Sequence, residues 1–162
     1  LPTASRSRTI TASVEELWEL VRDPHHLPRW WPRVERVEDV EDDAFTEVMR
    51  TAKGKVVRAD FNFLASEQTA RSITWSQRLV GTPFARLLSS SETEVRLAPV
   101  TVAAPRPSAP GDEKRSGART EVTIELRQVL TGFFPRFGGF MVRRAAAATL
   151  EEALDGLERI SG

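Results

Sequence analysis

Hydrophobic residues recur along the chain at two different periods, and the change from one to the other marks its elements. Val14, Leu17, Trp18 and Val21 follow helical spacing. Ser13 and Glu16 stand at the spacing of a capping box, in which the serine side chain satisfies a free amide of the first turn. Asp23-Pro24 ends that helix, because a residue before proline is pushed out of helical geometry. Residues 6–11 read as a short opening strand. Residues 25–32, His-His-Leu-Pro-Arg-Trp-Trp-Pro, read as one or two turns.

From residue 33 the period is two. Residues 34–41 and 45–52 predict a hairpin turning at Glu41-Asp42-Asp43, and Lys53-Gly54-Lys55 a second tight turn. Residues 56–66 place Val57, Ala59, Phe61, Phe63 and Ala65 on one side of a half-buried strand. Residues 71–80 set Ile73, Trp75, Gln77 and Leu79 against Ser72, Thr74, Ser76 and Arg78. Gly81-Thr82-Pro83 breaks that pattern; residues 84–88 fit either a strand or a helical turn, and residues 92–99 resume as a strand with Val95 and Leu97. Residues 101–119, with Pro105, Pro107, Pro110, Gly111 and Gly117, predict a flexible loop between two neighbouring strands. Residues 120–131 then alternate cleanly, with Val122, Ile124, Leu126, Gln128 and Leu130 on one side. A closing helix is predicted over residues 140–160, its stripe formed by Phe140, Ala147, Leu150, Leu154 and Leu157.

Short links between the middle strands favour an antiparallel meander, since none is long and helical enough for a parallel crossover. The expected architecture is α+β: a curved antiparallel sheet of six to seven strands wrapped around a long C-terminal helix, with two short helices after the first strand. Such a sheet under one helix leaves a hollow suited to a small molecule.

Composition narrows the functions. The 162 residues and 40% hydrophobic content suit one domain spanning residues 1–162. Lys and Arg number 23, as do Asp and Glu, so no basic excess points to nucleic acid. No apolar run reaches the ~20 residues of a membrane span, and no signal-peptide core precedes the first strand, so a cytoplasmic location is expected. The absence of cysteine excludes thiolate nucleophiles and Cys-based zinc sites. Gly-rich phosphate loops, nucleophile elbows and dinucleotide fingerprints are also missing, and no cofactor is expected.

Several stretches resemble a known superfamily. The segment Asp23-Pro24-His25-His26-Leu27-Pro28-Arg29-Trp30-Trp31-Pro32 after the first helix, within this order of elements, resembles the START-related SRPBCC proteins. Thr74-Trp75-Ser76-Gln77, Gly81-Thr82-Pro83-Phe84 and Gly138-Gly139-Phe140-Met141-Val142-Arg143-Arg144 look most like its bacterial polyketide cyclase/dehydrase-type branch. The likeness covers about residues 6–160. It implies the helix-grip fold and a hydrophobic small-molecule partner, while leaving activity open, because one fold hosts many functions.

Candidate site residues come from polar interruptions of apolar faces. At 100° per residue Arg143 falls in the stripe of the closing helix, where its guanidinium either meets a ligand oxygen or extends to solvent. Gln77 and Gln128 occupy positions where alternation predicts Val or Leu, and a buried carboxamide needs a partner. Glu47 shares a side with Phe45 and Met49, although Val48 argues for the opposite facing. His26 is a weak candidate base beside His25; adjacent positions do not form a chelating pair, and no metal is expected. Trp31, Phe61, Phe63 and Trp75 are core residues that also suit a hollow's wall. Phe133, Phe134 and Phe137, among glycines before the closing helix, suit its lip, and Phe140, in the helix stripe, is a further ligand-contact candidate.

Three functions fit these residues: binding of an aromatic, polyketide or lipid-like molecule; a polyketide cyclase or dehydrase with catalytic candidates Arg143, Glu47 and His26; and a cavity-poor interaction module, for instance a homodimer through a sheet edge.

Overall fold

A computed structural model describes residues 3–101, 117–132 and 138–161. Most of the predicted loop at 101–119, and Phe133, Phe134 and Phe137, lie outside the described residues. The chain runs β1 (Ala4–Ile10), α1 (Val14–Arg22), a 3-10 turn (Pro24–His26), α2 (Leu27–Trp30), β2 (Val34–Glu38), β3 (Ala44–Arg50), β4 (Val56–Glu67) and β5 (Ser72–Gln77). A second 3-10 turn (Pro83–Arg86) leads to β6 (Leu88–Pro99), β7 (Thr120–Leu130) and α3 (Gly138–Ile160).

The strands form one antiparallel sheet in the order β1-β7-β6-β5-β4-β3-β2. A meander from β2 to β7 therefore brings β7 back beside β1, and the helices between β1 and β2 carry the chain from one edge to the other. This is the helix-grip arrangement, with α3 packed on β1, β7 and α2, and α1 on β6. The Ser13 hydroxyl accepts from the Glu16 amide at 3.1 Å, fixing the start of α1. Leu17, Trp18 and Val21 of α1 join Leu150, Leu154 and Leu157 of α3 and Val95, Val122 and Ile124 of the sheet in one core. On the outer face Glu94 and Glu125 alternate with Arg96 and Arg127 in a ladder of ion pairs, for example 3.0 Å from Arg127 to each carboxylate.

Boundaries depart from the sequence pattern where packing overrides it. Residues 83–86 are a 3-10 turn, with Pro83 supplying a suitable φ at its start. β6 begins at Leu88 instead of 92, and β5 stops at Gln77. A register shift between Phe63 and Ala65 interrupts the alternation of β4, leaving Phe61 buried and Ala65 exposed. In α3 the buried positions are Gly138, Ala146, Leu150, Ala153, Leu154, Gly156 and Leu157, while Phe140 is 59% exposed.

Candidate functional site

The strands of the sheet are long enough to extend past the tightly packed half of α3. Leu150, Leu154 and Leu157 fill the space under the C-terminal half of the helix. Under its N-terminal half stand Val142, Ala145, Ala146 and Thr149, too short to reach the sheet, and a hollow of about 330 Å³ remains. A cavity-poor module lacks such a space.

The sheet wall is ordered by register. Phe45 on β3 faces Phe61 on β4, and Phe61 faces Gln77 on β5. Ser91 on β6 faces Gln128 on β7, and the Gln128 amide donates to the Ser91 hydroxyl at 3.4 Å. Trp75 and Thr93 form the next pair. Trp31, after α2, meets Trp75 edge to face at 5.9 Å and closes one side. Among the described residues no side chain pairs with the Gln77 carboxamide, which lines the hollow.

Glu47 is the outlying group. It lines the hollow, is only 2% exposed, and among the described residues no donor or cation pairs with its carboxyl. Its strand neighbours in register are Val37 and Ala59. Burial without a partner disfavours the charged form and pushes its pKa up to about 8, so the carboxyl is mostly protonated at neutral pH. Val48 argues for the opposite facing only if one face of β3 is solvated. Both faces are shielded: Val48 lies in register between Arg36 and Arg58 on the neighbouring strands, and residues 44–48 are all buried.

Of the sequence candidates, the structure brings Trp31, Glu47, Phe61, Trp75, Gln77 and Gln128 together around the hollow. Phe63 packs on Phe45 at 5.1 Å and does not line it. Arg143 and Phe140 are corrections: both are exposed and line an outer groove with Thr3, Ala4, Arg6, Arg144 and Ala147 instead of the hollow. The reason lies in the breadth of the helix stripe. Val142, Ala145 and Thr149 lie about 80–140° to one side of Leu150 and meet the hollow, whereas Arg143, Ala147 and Phe140 lie about 20–80° to the other side, toward the start of β1. His26 is also elsewhere, half-buried on the first 3-10 turn, where Arg29 donates to its Nδ1 at 3.2 Å. Phe137 falls outside the described residues.

Ser91, Thr93, Leu126 and Thr149 are lining residues that the sequence did not single out as candidates. A signal exists for three of them: Leu126 shares the apolar side of residues 120–131 with Gln128, and continuing the alternation backward from Leu97 and Val95 puts Thr93 and Ser91 on the inner face. Among the described residues no cluster of ligating side chains suits a metal, and no helix is long and apolar enough to cross a membrane.

A curved sheet gripping a terminal helix over an apolar hollow defines the START-related helix-grip class. Within it the chain belongs to the family described as polyketide cyclase/dehydrase and lipid transport, whose model matches residues 2–162. Similar solved structures include the di-domain aromatase/cyclase BexL of the BE-7585A biosynthetic pathway, 20% identical with a TM-score of 0.73, over 96% of this chain and 45% of that one. The chain thus spans about half the length of that di-domain protein. A START superfamily protein from Mycobacterium smegmatis is 15% identical with a TM-score of 0.69, over 96% and 93% of the two chains. The Zhui aromatase/cyclase from Streptomyces sp. R1128 is 14% identical with a TM-score of 0.64, over 96% and 88%. These likenesses establish the fold. No curated protein matches the sequence.

Proposed function

We propose that the protein binds a small, predominantly apolar organic molecule in the hollow between the sheet and α3. The observation that carries this reading is the unfilled space of about 330 Å³, walled by Trp31, Phe61, Trp75 and Leu126 and interrupted by a few polar groups. Apolar walls supply affinity by releasing water, and sparse polar groups fix orientation. Gln77, Ser91 and Gln128 offer neutral donors and acceptors along one row of the sheet. Native mass spectrometry of the purified protein against a library of apolar aromatics and acyl compounds tests the proposal. Stoichiometric complexes are expected; a diverse library yielding none overturns it.

A second reading is catalytic. Glu47, protonated near neutral pH, is suited to donate a hydrogen bond or a proton to a carbonyl or departing hydroxyl, as a cyclase or dehydrase requires. Among the described lining residues no other side chain ionises in the useful range, so a mechanism with separate acid and base has one member here. Binding therefore stands first. Turnover that survives Glu47→Gln would remove the acid from the reaction.

A further inference from the structure

We propose that the occupant of the hollow is a small apolar amine, held by an ion pair between its ammonium group and the Glu47 carboxylate. The inference rests on the reading of the hollow as a ligand site and specifies the class of ligand.

The charge inventory of the wall is lopsided. Among the described residues Glu47 is its only ionisable side chain, and no Lys, Arg or His lines it. With Arg143 outside, no described side chain of the hollow compensates an anionic ligand. A carboxylate or enolate placed there would lose its hydration and meet a potential anion. A cation would meet the opposite.

Glu47 itself requires an explanation. A buried carboxyl without a partner costs stability, and neutral oxygens are served more cheaply by carboxamides and hydroxyls, which the wall already has in Gln77, Ser91, Thr93 and Gln128. An ammonium group makes use of a charge that no neutral ligand needs. Between low-dielectric walls, a well-aligned and hydrogen-bonded ion pair offsets part of the desolvation of both partners. Trp31, Phe61 and Trp75 share the wall with Glu47 and offer π-faces and apolar area to the remainder of such a molecule.

Binding of this kind is coupled to protons. Among the described residues the groups around Glu47 do not titrate: Val37 and Ala59 flank it on β2 and β4, and Phe45 and Met49 precede and follow it on its own face of β3. Across the hollow, α3 contributes Val142, Ala145, Ala146 and Thr149. The empty site holds the Glu47 proton at pH 7, since burial pushes its pKa to about 8. Pairing with an ammonium expels that proton.

Isothermal titration with matched triads tests the proposal: 2-arylethylamine, 2-arylethanol and arylacetate on phenyl, naphthyl and indolyl frames. At pH 7 the amine of a frame that fits is expected to bind at least tenfold more tightly than its alcohol, with the acid weakest. Repeating the titration in buffers of different ionisation enthalpy should show release of about one proton per amine bound, and amine affinity should rise up to about tenfold per pH unit between pH 6 and pH 8. Glu47→Gln is expected to abolish the amine preference and the proton release while keeping alcohol affinity within about threefold. An alcohol binding as tightly as its amine, or an amine preference that persists in Glu47→Gln, overturns the proposal. Failure of every triad to bind overturns the amine assignment, and the ligand-site reading falls with it only if the diverse native mass spectrometry library also yields no complex.

Discussion

At the scale of single residues, Glu47 shows how a side chain can be costly to the fold and useful to a site. Its folded pKa of about 8 lies above its ordinary value of 4.5, so between those two pH values the folded chain holds a proton that the unfolded chain has released. Stability must therefore fall as pH rises through that window, the opposite of an ion-paired carboxylate. Glu47→Gln, which keeps the shape and removes the charge, is expected to stabilise the protein at pH 8.5 by on the order of 2–4 kcal/mol and to give little change at pH 4. Urea denaturation at both pH values measures this. A variant no more stable than its parent at pH 8.5 would show that the carboxyl is solvated in the folded state.

At the scale of elements, the grip depends on how closely α2 approaches α3. Gly156 makes this possible: a Cβ built there would stand 2.2 Å from the Trp30 carbonyl oxygen and 2.8 Å from its Cα, backbone atoms that cannot rotate away. Gly156→Ala is expected to cost about 1–3 kcal/mol despite alanine's better helix propensity, because the two helices must separate. Gly132→Ala is the control, since nothing lies within 4 Å of its added methyl. Equal urea midpoints for the two variants would mean that the close approach is dispensable. Elements of this kind were legible where one face is dry and the other wet. β7, with Val122, Ile124 and Leu126 inward and the charged Glu121, Glu125 and Arg127 outward, was readable along its length. So was α1, whose cap and apolar spacing are local signals. The start of β6 was hidden because Ser91 and Thr93 face a hollow, where an inner-face residue need not be apolar. Glu47 was ambiguous because β3 is shielded on both faces, and alternation informs only when one face meets water. Arg143 was misplaced because helical periodicity gives an angle and not the neighbour found there; that angle points to β1.

For the molecule as a whole, the hollow follows from a mismatch between a sheet that continues and a helix whose side chains shorten. Leu150, Leu154 and Leu157 anchor α3 to the core with no exposed surface, and none of the three lines the hollow. The small residues at 145 and 146 in the next turns keep that space open at the expense of packing that longer side chains would supply. Ala146→Leu should exchange one property for the other. The added carbons enter the apolar end of the hollow, so stability is expected to hold or to rise by up to about 2 kcal/mol, while affinity for any ligand found by native mass spectrometry falls at least tenfold. Thermal melts of parent and variant with ligand then diverge: at a hundredfold excess over its Kd the ligand stabilises the parent by about 2.7 kcal/mol and leaves the variant nearly unshifted. A variant that melts normally yet keeps its ligand shift would place the binding site elsewhere on the molecule, and the open space beneath α3 would then be a packing defect that the leucine anchor tolerates.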